Sequence, residues 1–231
     1  MINLLSEIKN INPDILNRKI ERWDDLNFSE LEPFVKEMFW RDNTSVDVFS
    51  VKGTQHADYA GLPSWIRLLE VGKRMPRNLK LFQENPDYYY QNIKKQPSMY
   101  YQTIDEKNYY VGADGNHRTA IAKAAFFIDN RSTTLLHGVT VHSYIVDYEL
   151  KAEYDEILKI AKERKLSIYT TVGKTAISRE DGDGWMREKY KIIIRIEDFK
   201  SGNTHIFSTA EELSVFKNNL KKSFFRRIFG V

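Results

Sequence analysis

The sequence of 231 residues contains no cysteine. Disulfide bonds, cysteine nucleophiles, iron–sulfur clusters and thiolate zinc sites are therefore excluded. It also contains no apolar run of about 18 residues, so we expect no membrane-spanning helix. The N-terminal segment lacks a basic start, a long apolar stretch and a small-residue cleavage site. This argues against a secretory signal and leads us to expect a cytoplasmic protein.

A strong net charge is missing too. The 35 Lys and Arg residues face 32 Asp and Glu residues, a balance of +3 that does not by itself indicate nucleic-acid binding. Hydrophobic residues make up 42% of the chain, which excludes a largely disordered protein. The length fits one large domain, or one domain with a small extension.

Hydrophobic spacing predicts three helices in an N-terminal segment, residues 1–44, at residues 4–11, 13–23 and 29–39. Strand and helix patterns then alternate in a core over residues 45–165. The predicted strands are 45–52, 98–104, 108–113 and 138–146. The predicted helices are 64–73, 119–128 and 149–164, and a short helix or a turn is predicted at 85–94. The fold class expected for this core is α+β or α/β.

The remaining residues, 166–231, change character. Strand patterns at 166–172, 190–196 and 204–207 surround a polar loop at 178–184, and a final helix starts at Thr209. We expect a small C-terminal extension of strands and one helix. A domain boundary near Lys165 and a continuation of one sheet both remain open.

The most informative segment is Asp114-Gly115-Asn116-His117-Arg118, between a predicted strand and an alanine-rich helix. Backbone N–H groups at a helix start are unpaired and lie at the positive end of the helix dipole. Gly115 permits a positive φ and lets a ligand approach the backbone. The next three side chains place donors where a phosphate is held. A structural role is the alternative, with Asp114 capping the helix and Arg118 paired with a carboxylate such as Asp147.

The Asp-Gly-Asn-His-Arg motif and its alanine-rich helix resemble the ParB/sulfiredoxin superfamily, whose members carry D-G-x-H-R or G-x-R-R at this turn. The resemblance covers about residues 45–147, with the motif at 112–125. It implies a small α/β nucleotide-binding core, to which the sequence patterns add the N-terminal helices and the C-terminal extension of strands and a helix; these two parts lie outside the resemblance. Members include partition proteins that bind CTP, sulfiredoxin, which uses ATP, a free-serine kinase, and fertility-inhibition proteins with ATPase and nuclease activity.

Carried over by residue, the resemblance implies that Gly115 shapes a phosphate turn and that His117 and Arg118 bind nucleotide phosphates. Asn116 and Thr119, at the same helix start, are further predicted phosphate contacts. The resemblance also implies a catalytic role for Asp114 and His117. The carboxylate would orient the histidine, hold a metal through water or act as a base. The implied ligand is a nucleoside triphosphate, ATP or CTP, with Mg²⁺. On this basis Arg118→Ala is expected to abolish nucleotide binding without unfolding the domain.

Differences from the family pattern argue against two of these activities. Asn116 stands where sulfiredoxin has its reactive cysteine, so sulfinic-acid reduction is excluded. His117 stands where partition proteins typically have an arginine. The C-terminal strand patterns also differ from the helical DNA-reading domain of those proteins, so a complete partition protein is not expected.

Further candidate residues lie outside the motif. His56 follows a predicted strand of the same core, in a loop of the kind that often completes a site, and a surface histidine is the alternative. Arg67 belongs to a basic stretch that suits phosphates or a nucleic-acid backbone, and a solvated surface is the alternative. The other basic residues of that stretch are Lys73, Arg74 and Arg77.

The C-terminal helix is basic and amphipathic. After Glu212 it has no acidic residue, and cations alternate with apolar side chains. The predicted contacts with nucleic acid, an anionic membrane surface or an acidic partner are Lys221, Lys222, Arg226 and Arg227. A helix docked on its own domain, with its lysines in water, is the alternative.

Three functional hypotheses follow. The first is a nucleotide-binding phosphohydrolase or phosphotransferase acting in plasmid, phage or DNA-related biology. The second is a non-catalytic binding module, or a fertility-inhibition-type effector, that engages DNA or a protein of conjugation or partition machinery. The third is a metal-dependent nuclease.

Overall fold

The computed structural model describes residues 3–229, with side chains described as far as Lys221. Its helices are α1 (Leu4–Ile11), α2 (Phe28–Leu31), α3 (Trp65–Val71), α4 (Met75–Glu84), α5 (Asp87–Tyr90), α6 (Asn116–Ile128), α7 (Tyr148–Glu163) and α8 (Ala210–Phe229). Its strands are β1 (Glu21–Arg22), β2 (Val35–Asp47), β3 (Val51–Thr54), β4 (Tyr100–Ile104), β5 (Asn108–Val111), β6 (Leu135–Val146), β7 (Ile168–Gly182), β8 (Trp185–Asp198) and β9 (Asn203–Phe207). The chain is a mixed α/β protein with a largely sheet core and several helices.

Two compact units make up the chain, and each combines segments that are distant in sequence. Unit 1 contains Met1–Phe28, Phe39–Tyr144 and Asp181–Arg187. Unit 2 contains Ser29–Met38, Ile145–Glu180 and Glu188–Val231. The sequence instead predicts contiguous segments at 1–44, 45–165 and 166–231.

The sheet of unit 1 has the strand order β1-β3-β5-β4-β6-β2. Strand β3 runs parallel to β5, β5 is antiparallel to β4, and β4 is parallel to β6. Helix α6 follows β5 directly and packs against α1, α3 and α4. Because parallel strands end at the same sheet edge, the start of α6 lies beside the loop that follows β3.

Small buried side chains allow α6 to pack closely within unit 1. Ala120, Ala122, Ala124 and Ala125 are all buried in the hydrophobic core, as is Ile121. An alanine-rich helix can approach neighbouring elements more closely than one with large side chains. This packing holds the first turn of α6 in a fixed position.

Unit 2 is a smaller assembly of strands, most of the short helix α2 and two longer helices. Strand β8 pairs antiparallel with β9, with Ile194 opposite Phe207, and neighbours β7. Helix α7 packs against α8, whose Leu213 is fully buried. An ion pair of 2.6 Å joins Lys217 to Glu153, so the described part of α8 is docked on its own unit.

The structure corrects the expectation of helices in the first forty-four residues. Helix α1 is confirmed, but residues 13–23 form turns and the short strand β1, because Ile20 donates its N–H to the Leu62 carbonyl in a long-range contact. The predicted helix at 29–39 is confirmed only as far as Leu31, in α2, and is wrong beyond it. Pro33 lies in a short 3-10 turn and β2 starts at Val35. Helix α4, which the sequence analysis missed, begins just before Pro76.

Candidate functional site

The motif turn connects β5 to α6. Gly115 has a φ of 127°, a conformation that favours glycine, and α6 begins at the next residue. Two backbone bonds hold the turn against β4. The Tyr100 N–H donates to the Asp114 carbonyl at 3.0 Å, and the Gly112 N–H donates to the Tyr100 carbonyl at 2.8 Å. The start of α6 is therefore fixed by the sheet as well as by the helix.

Arg118 is buried and its guanidinium is bound within the protein. One terminal nitrogen donates to the Tyr88 hydroxyl at 2.9 Å and to the Pro97 carbonyl. The other donates to the Ser98 carbonyl and lies 3.2 Å from the Asp114 carboxylate. Both terminal nitrogens are thus engaged twice. The structural role considered for Arg118 is present, with Asp114 as its acidic partner; Asp147 instead caps α7.

His117 is half-buried and lies at the edge of a cavity. The Tyr59 hydroxyl is 3.2 Å from its Nε2. Burial lowers the pKa of the imidazole, and the positive charge of Arg74 lowers it further, while the Asp114 carboxylate acts in the opposite direction. The ring is therefore biased toward its neutral form.

The other two polar residues of the motif are buried. The Thr119 hydroxyl lies 2.7 Å from the Tyr101 hydroxyl, inside the core. The Asn116 Oδ1 atom is buried without a hydrogen-bond partner among the residues that the structure describes. Neither residue is among those lining the cavity beside His117, so the predicted phosphate contacts of Asn116 and Thr119 stay a prediction.

The cavity has a volume of about 380 Å³ and mixes charged, amide and apolar side chains. Its charged and titratable residues are Arg74, Arg77, Asp114, His117 and Arg118. Its apolar and aromatic wall comprises Leu81, Phe82, Tyr88 and Tyr89. Among the residues that the structure describes, Asp114 is the only carboxylate in this lining. The cavity is therefore positively charged, and anions are the ligands that it favours.

The basic stretch divides into paired and unpaired cations. Arg67 forms a 2.9 Å ion pair with Glu70, and Lys73 forms one of 2.7 Å with Asp58. Arg74 and Arg77 are exposed at the start of α4 and have no ion pair within residues 3–221. These two arginines face the cavity, whereas Arg67 lies outside it. Pro76 at the first turn of α4 and the apolar spacing of Met75, Leu79 and Phe82 are the sequence signals that could have revealed this helix.

His56 neighbours Tyr59, the residue whose hydroxyl contacts His117. Its exposed ring stacks on Tyr59 with a centroid distance of 4.7 Å. It lines a second, more open cavity of about 400 Å³ with Asp24 and Gln55, near the ends of β3 and β5. His56 is therefore near the motif but outside the first cavity.

The remaining predicted contacts lie in α8. Lys221 is half-buried, and Lys222, Arg226 and Arg227 lie outside the described side chains. Over the described residues, no helix is long and apolar enough to cross a membrane. The described part of the chain also contains no cluster of three or more His, Asp or Glu side chains arranged to bind a metal ion.

Comparison with known proteins finds no similar protein. The chain matches no protein-family model, no curated protein and no solved structure. Any functional conclusion therefore rests on the geometry of the cavity and on the motif.

Proposed function

We propose that unit 1 binds a nucleotide by its phosphates in the cavity beside the start of α6, and that it hydrolyses or transfers phosphate as a ParB/sulfiredoxin-like protein. One observation carries the proposal. The cavity collects three arginines and a histidine, and the single carboxylate in its described lining is already paired with one of the arginines. An excess of positive charge in one concave site favours a multiply charged anion.

The first turn of α6 strengthens the attraction for phosphate. The backbone N–H groups of a helix start are unpaired, and the helix dipole is positive there. Gly115, with a φ of 127°, forms the backbone turn from which the helix starts. Arg74 and Arg77 then supply free guanidinium donors from α4, and each can bind a phosphate through two parallel hydrogen bonds.

The aromatic wall supports a nucleotide over a bare phosphate. Phe82, Tyr88 and Tyr89 line the same cavity as the arginines. Flat apolar side chains suit the faces of a nucleobase, and the cavity volume falls within the range of small-molecule sites. A ligand that is anionic at one end and aromatic at the other fits both walls.

A Mg²⁺ ion brought with the nucleotide fits the residues present. Mg²⁺ is usually held by one or two carboxylates together with substrate phosphates and water, and Asp114 is the carboxylate at this cavity. Such an ion would supply charge neutralisation on the phosphates. His117, with its lowered pKa, is the group in this lining suited to accept a proton near neutral pH.

The binding panel is calorimetric and uses the full chain with ATP, ADP, CTP and GTP, each with and without Mg²⁺. Arg74→Ala/Arg77→Ala should weaken nucleotide binding about a hundredfold, because two charge-assisted contacts are lost. The matched control is Arg67→Ala/Lys73→Ala, which removes the same charge outside the cavity and should keep the affinity. The proposal fails if no nucleotide binds, or if both double variants behave alike.

A second candidate is a non-catalytic binding module or effector that uses the nucleotide as a switch. The engagement of Asp114 with Arg118 favours it, because a carboxylate held in an ion pair is less free to act as a base. Product analysis after incubation with the bound nucleotide, and with DNA, separates turnover, DNA cleavage and simple binding. Removing residues 222–231 tests the basic end of α8. A binding module should lose DNA or its partner, whereas an enzyme should keep its turnover.

A further inference from the structure

The ring of His117 is held on one side by two neighbours. The Tyr59 hydroxyl lies 3.2 Å from Nε2, and the two rings meet edge to face with centroids 5.2 Å apart. On the same side, a Cβ atom added to Gly72 would lie 2.7 Å from Cδ2 and 2.8 Å from Nε2. The Cδ2–Nε2 edge of the imidazole is therefore covered. Nδ1 is the ring nitrogen left for a ligand, and it has no partner among the described residues.

Tyr59 is itself fixed in place. Its side chain is buried and stacks on the ring of His56. Its backbone N–H donates to the His56 carbonyl at 3.1 Å, which closes a turn after β3. A hydroxyl group can donate to a neutral imidazole nitrogen or accept from a protonated one. Tyr59 can thus keep its bond to Nε2 in both charge states of the histidine.

The charged groups that face His117 come from several elements. Arg74 lies at the start of α4, Arg118 is on α6, His56 is on the loop after β3, and Asp114 is on the turn before α6. Burial and the three cationic or titratable neighbours lower the pKa of His117, and Asp114 opposes them. An anion bound in the cavity would add negative charge beside the ring, and its field would favour the imidazolium form.

We infer that Tyr59 is a positioning residue for His117: it turns Nδ1 toward the cavity and accepts a hydrogen bond from Nε2–H when the ring is charged, which allows the ring to take up one proton when an anion binds. This inference rests on the proposed phosphate binding in the same cavity. The proton comes from solvent and stays on the imidazole. Nδ1–H then donates to the anion while Nε2–H donates to the Tyr59 hydroxyl. Affinity for the anion consequently depends on pH.

Sulfate is the probe, because it is a dianion that does not titrate near neutral pH. The His117 ring signals of the full chain are followed by NMR as a function of pH, with and without sulfate, and are assigned by their loss in His117→Gln. In the wild type, sulfate should raise the pKa of His117. The affinity for sulfate should fall by up to about tenfold per pH unit above the pKa of the ligand-free ring, because one proton is linked to binding.

Tyr59→Phe removes the hydroxyl and keeps the ring that packs on His56 and His117. It should weaken sulfate binding about threefold to tenfold at pH 6, the loss expected for one hydrogen bond. It should also reduce the sulfate-induced rise in the pKa of His117. Tyr110→Phe is the matched control, since it removes a hydroxyl bond of 2.6 Å to Glu21 away from the cavity and should leave both quantities unchanged.

The results distinguish a failure of the role inferred for Tyr59 from a failure of the proposed phosphate binding. Sulfate binding that requires Arg74 and Arg77 but is identical in Tyr59→Phe would overturn this inference and leave the proposed function intact. The same holds if sulfate binds without raising the pKa of His117 in the wild type. No sulfate binding by the wild-type chain would overturn the inference together with the anion-binding basis of the proposed function.

Discussion

The two sides of the cavity hold their arginines in opposite ways. On the α6 side, Arg118 is buried, and both terminal nitrogens of its guanidinium are engaged by groups of the protein. On the α4 side, Arg74 and Arg77 are exposed and have no ion pair within the described residues. All three line the same cavity, but among them only Arg118 has its guanidinium bound by groups of the described protein.

This difference separates structural from ligand-facing charge. A guanidinium has five N–H donors. That of Arg118 makes four polar contacts within the protein, with Tyr88, Pro97, Ser98 and Asp114. It fixes the loop before β4 against the start of α6 and contributes its charge to the cavity, with little hydrogen-bonding capacity left. Arg74 and Arg77 keep theirs. We therefore expect the direct contacts with an anion to come from α4.

Arg118→Ala should give the largest effect, a loss of stability, because it removes the arginine whose donors are bound within the protein. It leaves two backbone carbonyls and a hydroxyl without their donor, so the free energy of unfolding should fall by about 3 kcal/mol or more. Urea unfolding followed by circular dichroism measures this. Arg118→Lys should recover only part of the loss, because an ammonium cannot reproduce the fork of a guanidinium.

The opposite result would favour the expectation drawn from the motif alone. Suppose that the free energy of unfolding of Arg118→Ala stays within about 0.5 kcal/mol of the wild-type value while nucleotide binding disappears. Arg118 would then act mainly by binding the ligand. Its internal contacts would then contribute little to stability.

A second test compares Arg118 with Lys123, a buried cation on the same helix without a hydrogen-bond acceptor among the described residues. Lys123 is 1% exposed and lies over the rings of Trp65 and Phe49, at 4.8 and 5.7 Å from their centroids. Burial lowers its pKa to about 7. Whereas Arg118 stabilises the fold through its partners, Lys123 should destabilise it whenever it is charged.

The sign follows from proton linkage. Above pH 7 the folded chain releases the Lys123 proton, and the unfolded chain keeps it until about pH 10. The free energy of unfolding should therefore rise with pH in this window, by up to about 1.4 kcal/mol per unit from this residue. Lys123→Met should reduce that slope and raise the free energy of unfolding at pH 7 by about 2 kcal/mol. Urea unfolding at several pH values measures both quantities.

Lys95 provides the control for this prediction. It is also buried, with its pKa lowered to about 8 by burial, but it donates to the Gln91 carbonyl at 3.0 Å and the Ile93 carbonyl at 3.3 Å. Lys95→Met loses these bonds and should destabilise the chain by about 1 to 3 kcal/mol. Equal effects of the two substitutions would contradict the distinction between partnered and unpartnered cations.

Local sequence signals predicted the parts of the fold that short-range interactions determine. Helices α1, α3, α6 and α7 and the hairpin of β4 and β5 follow from periodicity, caps and turn residues. Residues 13–23 and 32–39 have helical spacing but other structures. Ile20 bonds to Leu62, and β2, which begins at Val35, pairs in the sheet beside β6. Such long-range contacts cannot be read from one sequence.

The candidate site shows the same division. The turn at Gly115 and the helix start were predictable, since both depend on adjacent residues. The inward direction of Arg118 was not, because it depends on Tyr88 and on the carbonyls of Pro97 and Ser98. Likewise, the four cations from Arg67 to Arg77 look alike in sequence. Only the ion pairs with Glu70 and Asp58 distinguish the two that remain free.

The smallest expected effect distinguishes the two free arginines from each other. Arg74 is the charged neighbour with the largest effect in lowering the pKa of His117, and Arg77 is not among its principal neighbours. Removing a positive neighbour favours the charged imidazole, so Arg74→Ala should raise the pKa of His117 by a few tenths of a unit to about one unit. Arg77→Ala should leave it unchanged in an NMR titration of the same ring signal. Equal shifts in the two variants would contradict this distinction. They would mean that Arg74 and Arg77 have the same electrostatic effect on His117.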